Sequence, residues 1–248
     1  MIVNYTEKGW ELIAQRAHGL LAGKFCFHLK AEFRTKFWME TIAATLGHDD
    51  AFNELEEDDI LLNEQGGPVN YKMRDFERPK LDKLLNMALT KSRYIALLTS
   101  RHIQFLYDQS DDPAVKKYCE GLKKQDQEWR KQLELSESDI EEAYMLLQWC
   151  DALSLLICQK MVQPENRKIE IGIGPGGISY DLLSPAENVL TVTPWPFDLP
   201  HFEVCFDKRI LTDMSFKSEA IFRKKLLEQQ PELAVYQFTE PGAANAQK

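Results

Sequence analysis

The sequence predicts a mainly α fold, with a helical domain over residues 1–162 and a small α+β extension over residues 163–248 packed on it. Three observations lead there. Apolar residues recur at helical spacing through most of the first part of the chain. The composition changes at Pro164, and short β-branched runs punctuated by glycine and proline follow it. A chain of 248 residues, 44% hydrophobic and 28% charged, suits one large domain or a domain with an appendage.

In chain order, residues 2–5 read as a short strand or a packed arm. Thr6 is a plausible N-cap for a helix running to about Lys30 on Trp10, Ile13, Ala17, Leu21 and Phe25. Gly19 and Gly23 thin that helix and invite a close neighbour. Phe37–Leu46 is a second helix stopped by Gly47. Residues 53–78 carry an acidic run (Glu54, Glu56, Glu57, Asp58, Asp59) and a Gly66-Gly67-Pro68 turn. They read as a long loop of the kind that forms lids or binding loops.

A single long helix is expected from Pro79 to Tyr107, and Asp111-Asp112-Pro113 opens a polar, outward-facing one. Ser138-Asp139-Ile140-Glu141 reads as a capping box before the most apolar helix of the chain. Beyond Pro164, strands are expected at 168–173, 178–183, 189–193, 202–206 and 233–238, with a helix near 218–229. The tail from Pro241 to Lys248 reads as frayed.

Composition excludes several partner classes. A net charge of −9 argues against a phosphate-backbone footprint, so a nucleic-acid duplex is not the expected partner. No run of about 20 apolar residues appears, so no membrane span is expected. The start has neither a basic nor an apolar signal region, and the five cysteines form no C-x-x-C pair. A reducing cytoplasmic setting is the expectation.

The chemistry resides in polar residues on apolar faces. His18 has Ala14, Leu21, Ala22 and Phe25 at helical-neighbour spacings, so it faces inward. His48-Asp49 follows Gly47 at a helix end. His102 lies on the inner stripe of its helix, and Asp151 sits one turn from both Leu147 and Leu155. An uncompensated carboxylate there costs several kcal/mol, so Asp151 needs a cation or a hydrogen-bond network. Several helices each contributing an inward imidazole or carboxylate is how helical cores build metal sites.

The order His18, His48-Asp49, Asp151 resembles the H…HD…D ligand pattern of the HD-domain superfamily of metal-dependent phosphohydrolases, over about residues 6–162. Gln15-Arg16-Ala17-His18-Gly19, Ser100-Arg101-His102 and Pro194-Trp195-Pro196-Phe197 also resemble a bacterial family known as a domain of unknown function, over nearly the whole chain.

The first resemblance implies an HD-like helical domain with one divalent transition metal (Fe, Mn, Co, Ni or Zn) held by His18, His48, Asp49 and Asp151. It implies hydrolysis of a phosphate ester, with a nucleotide or another small phosphorylated metabolite as substrate. Asp50 is a candidate general base, His102 a donor to the phosphate, and Arg101 a charge to neutralise it. Two-metal members have two further histidines before the last Asp; this chain has only His102 there. Two other readings stand beside it: a non-haem iron oxygenase on the same fold, and a non-catalytic helical sensing or structural protein. Gly172-Ile173-Gly174-Pro175-Gly176-Gly177 spells G-x-G-x-x-G, but a strand pattern follows it, so it reads as a hairpin turn and not as a dinucleotide loop.

Overall fold

The computed structural model describes residues 1–57 and 59–242. Asp58 of the acidic run and the tail from residue 243 onward lie outside the described residues. The first departure comes at the start of the chain. Residues expected to begin a helix form a hairpin, β1 (Ile2–Thr6) and β2 (Gly9–Ile13), with Ile2 opposite Ile13. Gly9 takes φ 121° at the turn. Thr6 closes that turn and does not cap a helix: its Oγ1 donates to the Gly9 carbonyl at 2.9 Å. The helix begins later, as α1 (Gln15–His28).

α2 (Trp38–Leu46) ends at Gly47, as read from the sequence. A long connection follows, containing an isolated bridge between Leu62 and Pro68 and a 3-10 turn at Tyr71–Met73. The long helix expected over 79–107 is two, α3 (Arg78–Lys91) and α4 (Arg93–Tyr107). Ser92 breaks it: its backbone is extended and its Oγ accepts the Ile95 N–H at 3.1 Å, capping α4. α5 (Pro113–Gln132) is capped by Asp112. α6 (Glu137–Cys158) opens on a capping box of Ser136 and Asp139, slightly earlier than the predicted one.

The remaining elements are β3 (Ile169–Ile173), β4 (Ser179–Ala186), β5 (Val189–Thr193), β6 (His201–Leu211), α7 (Glu219–Glu228) and β7 (Glu232–Thr239). Among the described residues the strands form one seven-stranded sheet in the order β1-β2-β6-β7-β5-β4-β3. It is mixed: β5 and β7 run parallel, and the other neighbours are antiparallel. The sheet is curled, and with 47% helix and 21% strand the fold is α/β. The expectation of a mainly α, HD-like helical fold is therefore corrected. The physical reason is the pairing of β2 with β6, Trp10 opposite Leu211, which joins the initial hairpin to the later strands in one sheet. That sheet draws strands from both sides of the 162/163 boundary.

α1 and α6 cover the sheet: Leu21, Phe25, Trp149 and Leu153 share a core with Tyr180, Val192, Phe202 and Phe238. Trp195 and Phe197 of the proline-rich segment are buried in it, with the Phe197 ring centroid 4.9 Å from that of Phe202. A second core joins α3 to α6 through Leu84, Leu98, Leu122 and Leu147. A third lies under α7, where Phe222 and Leu226 meet Leu12 and Leu211. The glycine-rich stretch is the turn between antiparallel β3 and β4, with Gly176 and Gly177 at φ 75° and 72°. No helix among the described residues is long and apolar enough to cross a membrane.

Candidate metal centre

Four separate segments converge between α1 and α6. A Cβ at Gly19 would stand 2.6 Å from the Leu46 carbonyl oxygen, and one at Gly23 would collide with the Leu46 side chain. Only glycine lets α1 lie this close to the end of α2. His18 thereby meets His48, their rings edge to face with centroids 5.0 Å apart. Gly47 ends α2 so that His48 and Asp49 fall in a tight turn, Asp50 N–H donating to the Gly47 carbonyl at 3.2 Å. α6 brings Asp151 to the same point, and α4 brings His102, whose ring centroid is 5.0 Å from that of His48.

The interatomic distances are short and even. His18 Nε2 lies 3.1 Å from His48 Nε2, 3.2 Å from Asp151 Oδ1 and 3.4 Å from Asp49 Oδ2. His48 Nε2 lies 3.3 Å from Asp151 Oδ1 and 3.5 Å from Asp49 Oδ2. Both histidines are 1% exposed, so water does not satisfy these atoms from outside. Atoms bound about 2.0–2.2 Å from one cation stand about 3.0–3.5 Å apart along the edges of an octahedron or tetrahedron. The observed spacing falls in that range.

Outer partners set the ring tautomers. Ser154 Oγ donates to the Asp151 carbonyl at 2.8 Å, so towards His18 Nδ1, 2.6 Å away, it accepts. His48 Nδ1 lies 2.8 Å from the Thr45 carbonyl oxygen, which can only accept. Both Nδ1 atoms therefore carry the proton, and in the neutral rings both Nε2 lone pairs face the two carboxylates. Gln15 Nε2 donates to Asp49 Oδ2 at 2.8 Å and orients that carboxylate. Asp151 Oδ1 is buried and has no partner in hydrogen-bond geometry among the described residues.

Electrostatics agree with the geometry. Burial pushes His48 down, but Asp49 and Asp151 outweigh it and raise it to about 10. Burial acts against ionisation of Asp151 and Asp49, yet the facing histidines hold both below the carboxylate range. The cluster demands positive charge at its centre. His48 supplies a proton when nothing else does, and metal binding displaces such protons. An orphaned buried carboxylate oxygen, two directed imidazole lone pairs and a second carboxylate fit a divalent transition metal.

His102 adjoins this set. A ring nitrogen of His102 lies with atoms of His48 and Asp151 in a group within 4.8 Å of one another. Burial, then the nearby His48, lowers His102 to about 4 and keeps it neutral; the Tyr144 hydroxyl sits 3.4 Å from its Nδ1. The centre opens into a cavity of about 260 Å³ walled by Phe52, Tyr71, Tyr107 and Leu106, with Lys72 and Arg74 also on its lining. Burial and the charges of Asp151 and Asp49 push the Tyr71 phenol up to about 12, so it remains a protonated donor.

The structure thus brings together His18, His48, Asp49, Asp151 and His102. It does not bring Asp50 or Arg101 to the cavity. Asp50 faces Arg16 and Lys91, at 4.0 and 3.7 Å, because the tight turn sends consecutive side chains to opposite sides. Arg101 is one residue from His102 on α4, about 100° round the helix, and pairs with Asp126 at 3.3 Å and with Glu137. The sequence alone assigns no site role to Ser154, Gln15 or Tyr144. The available signal was spacing: Gln15 is one turn before His18, and Ser154 one turn after Asp151.

Fold and site together define an α/β protein with a buried histidine–aspartate centre at the floor of an aromatic cavity. The chain belongs to the family described as Protein of unknown function (DUF3891), whose sequence profile matches residues 1–213. That match bears out the resemblance to a family of unknown function. It corrects the other one: no HD-domain match is found, and the large sheet departs from a helical domain of that kind. No curated protein and no solved structure matches the chain.

Proposed function

We propose that this chain is a metal-dependent hydrolase acting on a phosphate ester of a small molecule. One observation carries the reading: two imidazole nitrogens lie 3.1 Å from each other, and each lies 3.2–3.5 Å from one oxygen of Asp49 and one of Asp151, at the floor of a cavity lined by Lys72 and Arg74. His18, His48, Asp49 and Asp151 would hold one divalent ion of Fe, Mn, Co, Ni or Zn, all of which accept this donor set. When bound, such a cation supplies Lewis-acid charge to a phosphoryl oxygen and makes water more acidic.

The chain's own residues do the rest. Lys72 is held by the neutral Gln159 side chain, so its charge remains for a phosphate. Arg74 is shared with Asp59 at 3.0 Å and contributes less. Neutral His102 offers a ring nitrogen for a hydrogen bond to the phosphate. The walls of Phe52, Tyr71 and Tyr107 take the organic group and keep bulk water from the centre.

The same donor set suits a non-haem iron oxygenase, a second reading favoured by the aromatic character of the walls. Elemental analysis of protein purified without chelator, followed by assays of p-nitrophenyl phosphate hydrolysis and oxygen uptake, separates the readings. The expected result is about one transition metal per chain and phosphate release that Asp49→Ala abolishes together with the metal. Bound iron with oxygen-dependent turnover and no phosphate release would move the assignment to the oxygenase. Protein without metal under these conditions would leave a non-catalytic sensing or structural role.

A further inference from the structure

A second cavity, of about 310 Å³, lies on the other side of the start of α1, between β2, β6 and α7. Its walls include Leu12, Leu226 and Leu55, and two arginines, Arg16 and Arg209, are also on its lining. On β6, Lys208 pairs with Glu11 at 2.9 Å on one face of the sheet. Arg209 therefore falls on the opposite face, opposite Leu12 in register. Arg209 Nε is buried without a hydrogen-bond partner, and no carboxylate among the described residues pairs with this guanidinium.

Arg209 is half-buried and has no counter-ion among the described residues, and guanidinium presents a planar fork that matches a carboxylate. The other charges at the cavity are already engaged. Arg16 lies 4.0 Å from the Asp50 carboxylate and donates to the Asp50 carbonyl at 3.1 and 2.5 Å, and Glu54 takes the Met1 ammonium at 2.8 Å. One positive charge is left open, beside a carboxylate that disfavours a dianion. Leu55, on the lining, is 51% exposed and would be covered by an apolar chain. The volume is at the lower end of the range for ligand pockets, roughly 300–1,000 Å³.

We propose that this cavity binds a monocarboxylate with an apolar tail, its carboxylate on Arg209 and its tail against Leu12, Leu226 and Leu55. The site is independent of the metal centre and of the hydrolytic reading. Isothermal titration of the full chain with octanoate tests it, with octanol and octyl phosphate as comparison probes. Saturable one-to-one binding of octanoate is expected, with octanol and octyl phosphate each about tenfold weaker or worse. Arg209→Met should weaken octanoate by about tenfold or more and leave metal content unchanged. Leu55→Trp, a change at an exposed position, should block the cavity and weaken octanoate whether or not Arg209→Met folds. Absence of saturable heat, octanol or octyl phosphate binding as tightly as octanoate, or unchanged octanoate affinity in either folded variant would overturn the proposal.

Discussion

Ser154 Oγ carries a single proton, and the Asp151 carbonyl takes it. This small constraint fixes the His18 ring, because the remaining Oγ lone pairs can only accept from Nδ1 and so turn the Nε2 lone pair towards the carboxylates. Ser154→Ala removes the acceptor and lets the ring choose its other tautomer. Metal affinity should then fall about 10–100-fold, the usual effect of losing such an outer partner, while the helical circular dichroism is kept. Titration against a competing chelator reads it, and unchanged affinity would mean that Ser154 does not govern the ring. Gln15→Ala should act in the same direction through Asp49 Oδ2. These residues were not legible in the sequence for a simple reason: a serine or glutamine on a helix is ordinary until its neighbour is known. His18, His48, Asp49 and Asp151 were legible because a charged or titratable side chain on an apolar stripe needs a partner.

At the scale of elements, the centre depends on two contacts that hold backbone in place. The first is α1 against α2. Gly19→Ala sets a methyl 2.6 Å from the Leu46 carbonyl, and a backbone atom cannot step aside as a side-chain end can. The expected cost is about 1–3 kcal/mol of stability, together with weaker metal binding as His18 is pushed off His48. Thermal unfolding and metal titration of this variant should move together; wild-type values in both would show that α1 has room. The second contact fastens the long connection after α2 to α3. Asp59 is buried and takes Arg74 at 3.0 Å and Lys80 at 2.5 Å. Burial alone would raise its carboxyl, but the two cations overcome this and hold it below the usual range. A carboxyl depressed in the folded state stabilises the fold above the unfolded value, about pH 4, and that contribution is lost as pH falls towards the folded value. Asp59→Asn takes a buried carboxylate away from Arg74 and Lys80 and should cost about 1.5–3 kcal/mol at pH 7, the worth of hydrogen bonds to charged groups. Urea unfolding at pH 7 and pH 3 should show the difference between variant and parent shrinking in acid; a constant difference would exclude this linkage.

At the scale of the whole molecule, the sheet escaped sequence reading because its first strands hide their period. A strand with one wet face alternates, but Leu12 and Ile13 are both buried, each in a different core, and Glu11 between Trp10 and Leu12 is buried as an ion pair with Lys160 and Lys208. Without alternation, Trp10, Ile13 and Ala17 fit a helical spacing equally well. The later strands were readable one by one, since turn residues separate them, but their union with the first hairpin rests on a pairing across nearly the whole chain, Trp10 with Leu211. That pairing predicts how the chain responds to division. A cut between residues 162 and 163 would leave Phe25, Trp149, Leu153 and Ile157 without Tyr180, Leu190, Val192, Phe202 and Phe238. Aromatic side chains bury roughly 150–250 Å² each, so the exposed face would be a large apolar patch. It would also leave β2 without its β6 partner, an open edge prone to pairing with other chains. The fragment 1–162 should therefore show no cooperative thermal transition and should bind metal weakly, since α1 and α6 rest on the missing sheet. Co-expression with 163–248 should restore both. A fragment 1–162 that unfolds cooperatively and holds stoichiometric metal would show that the helices build the centre without the sheet.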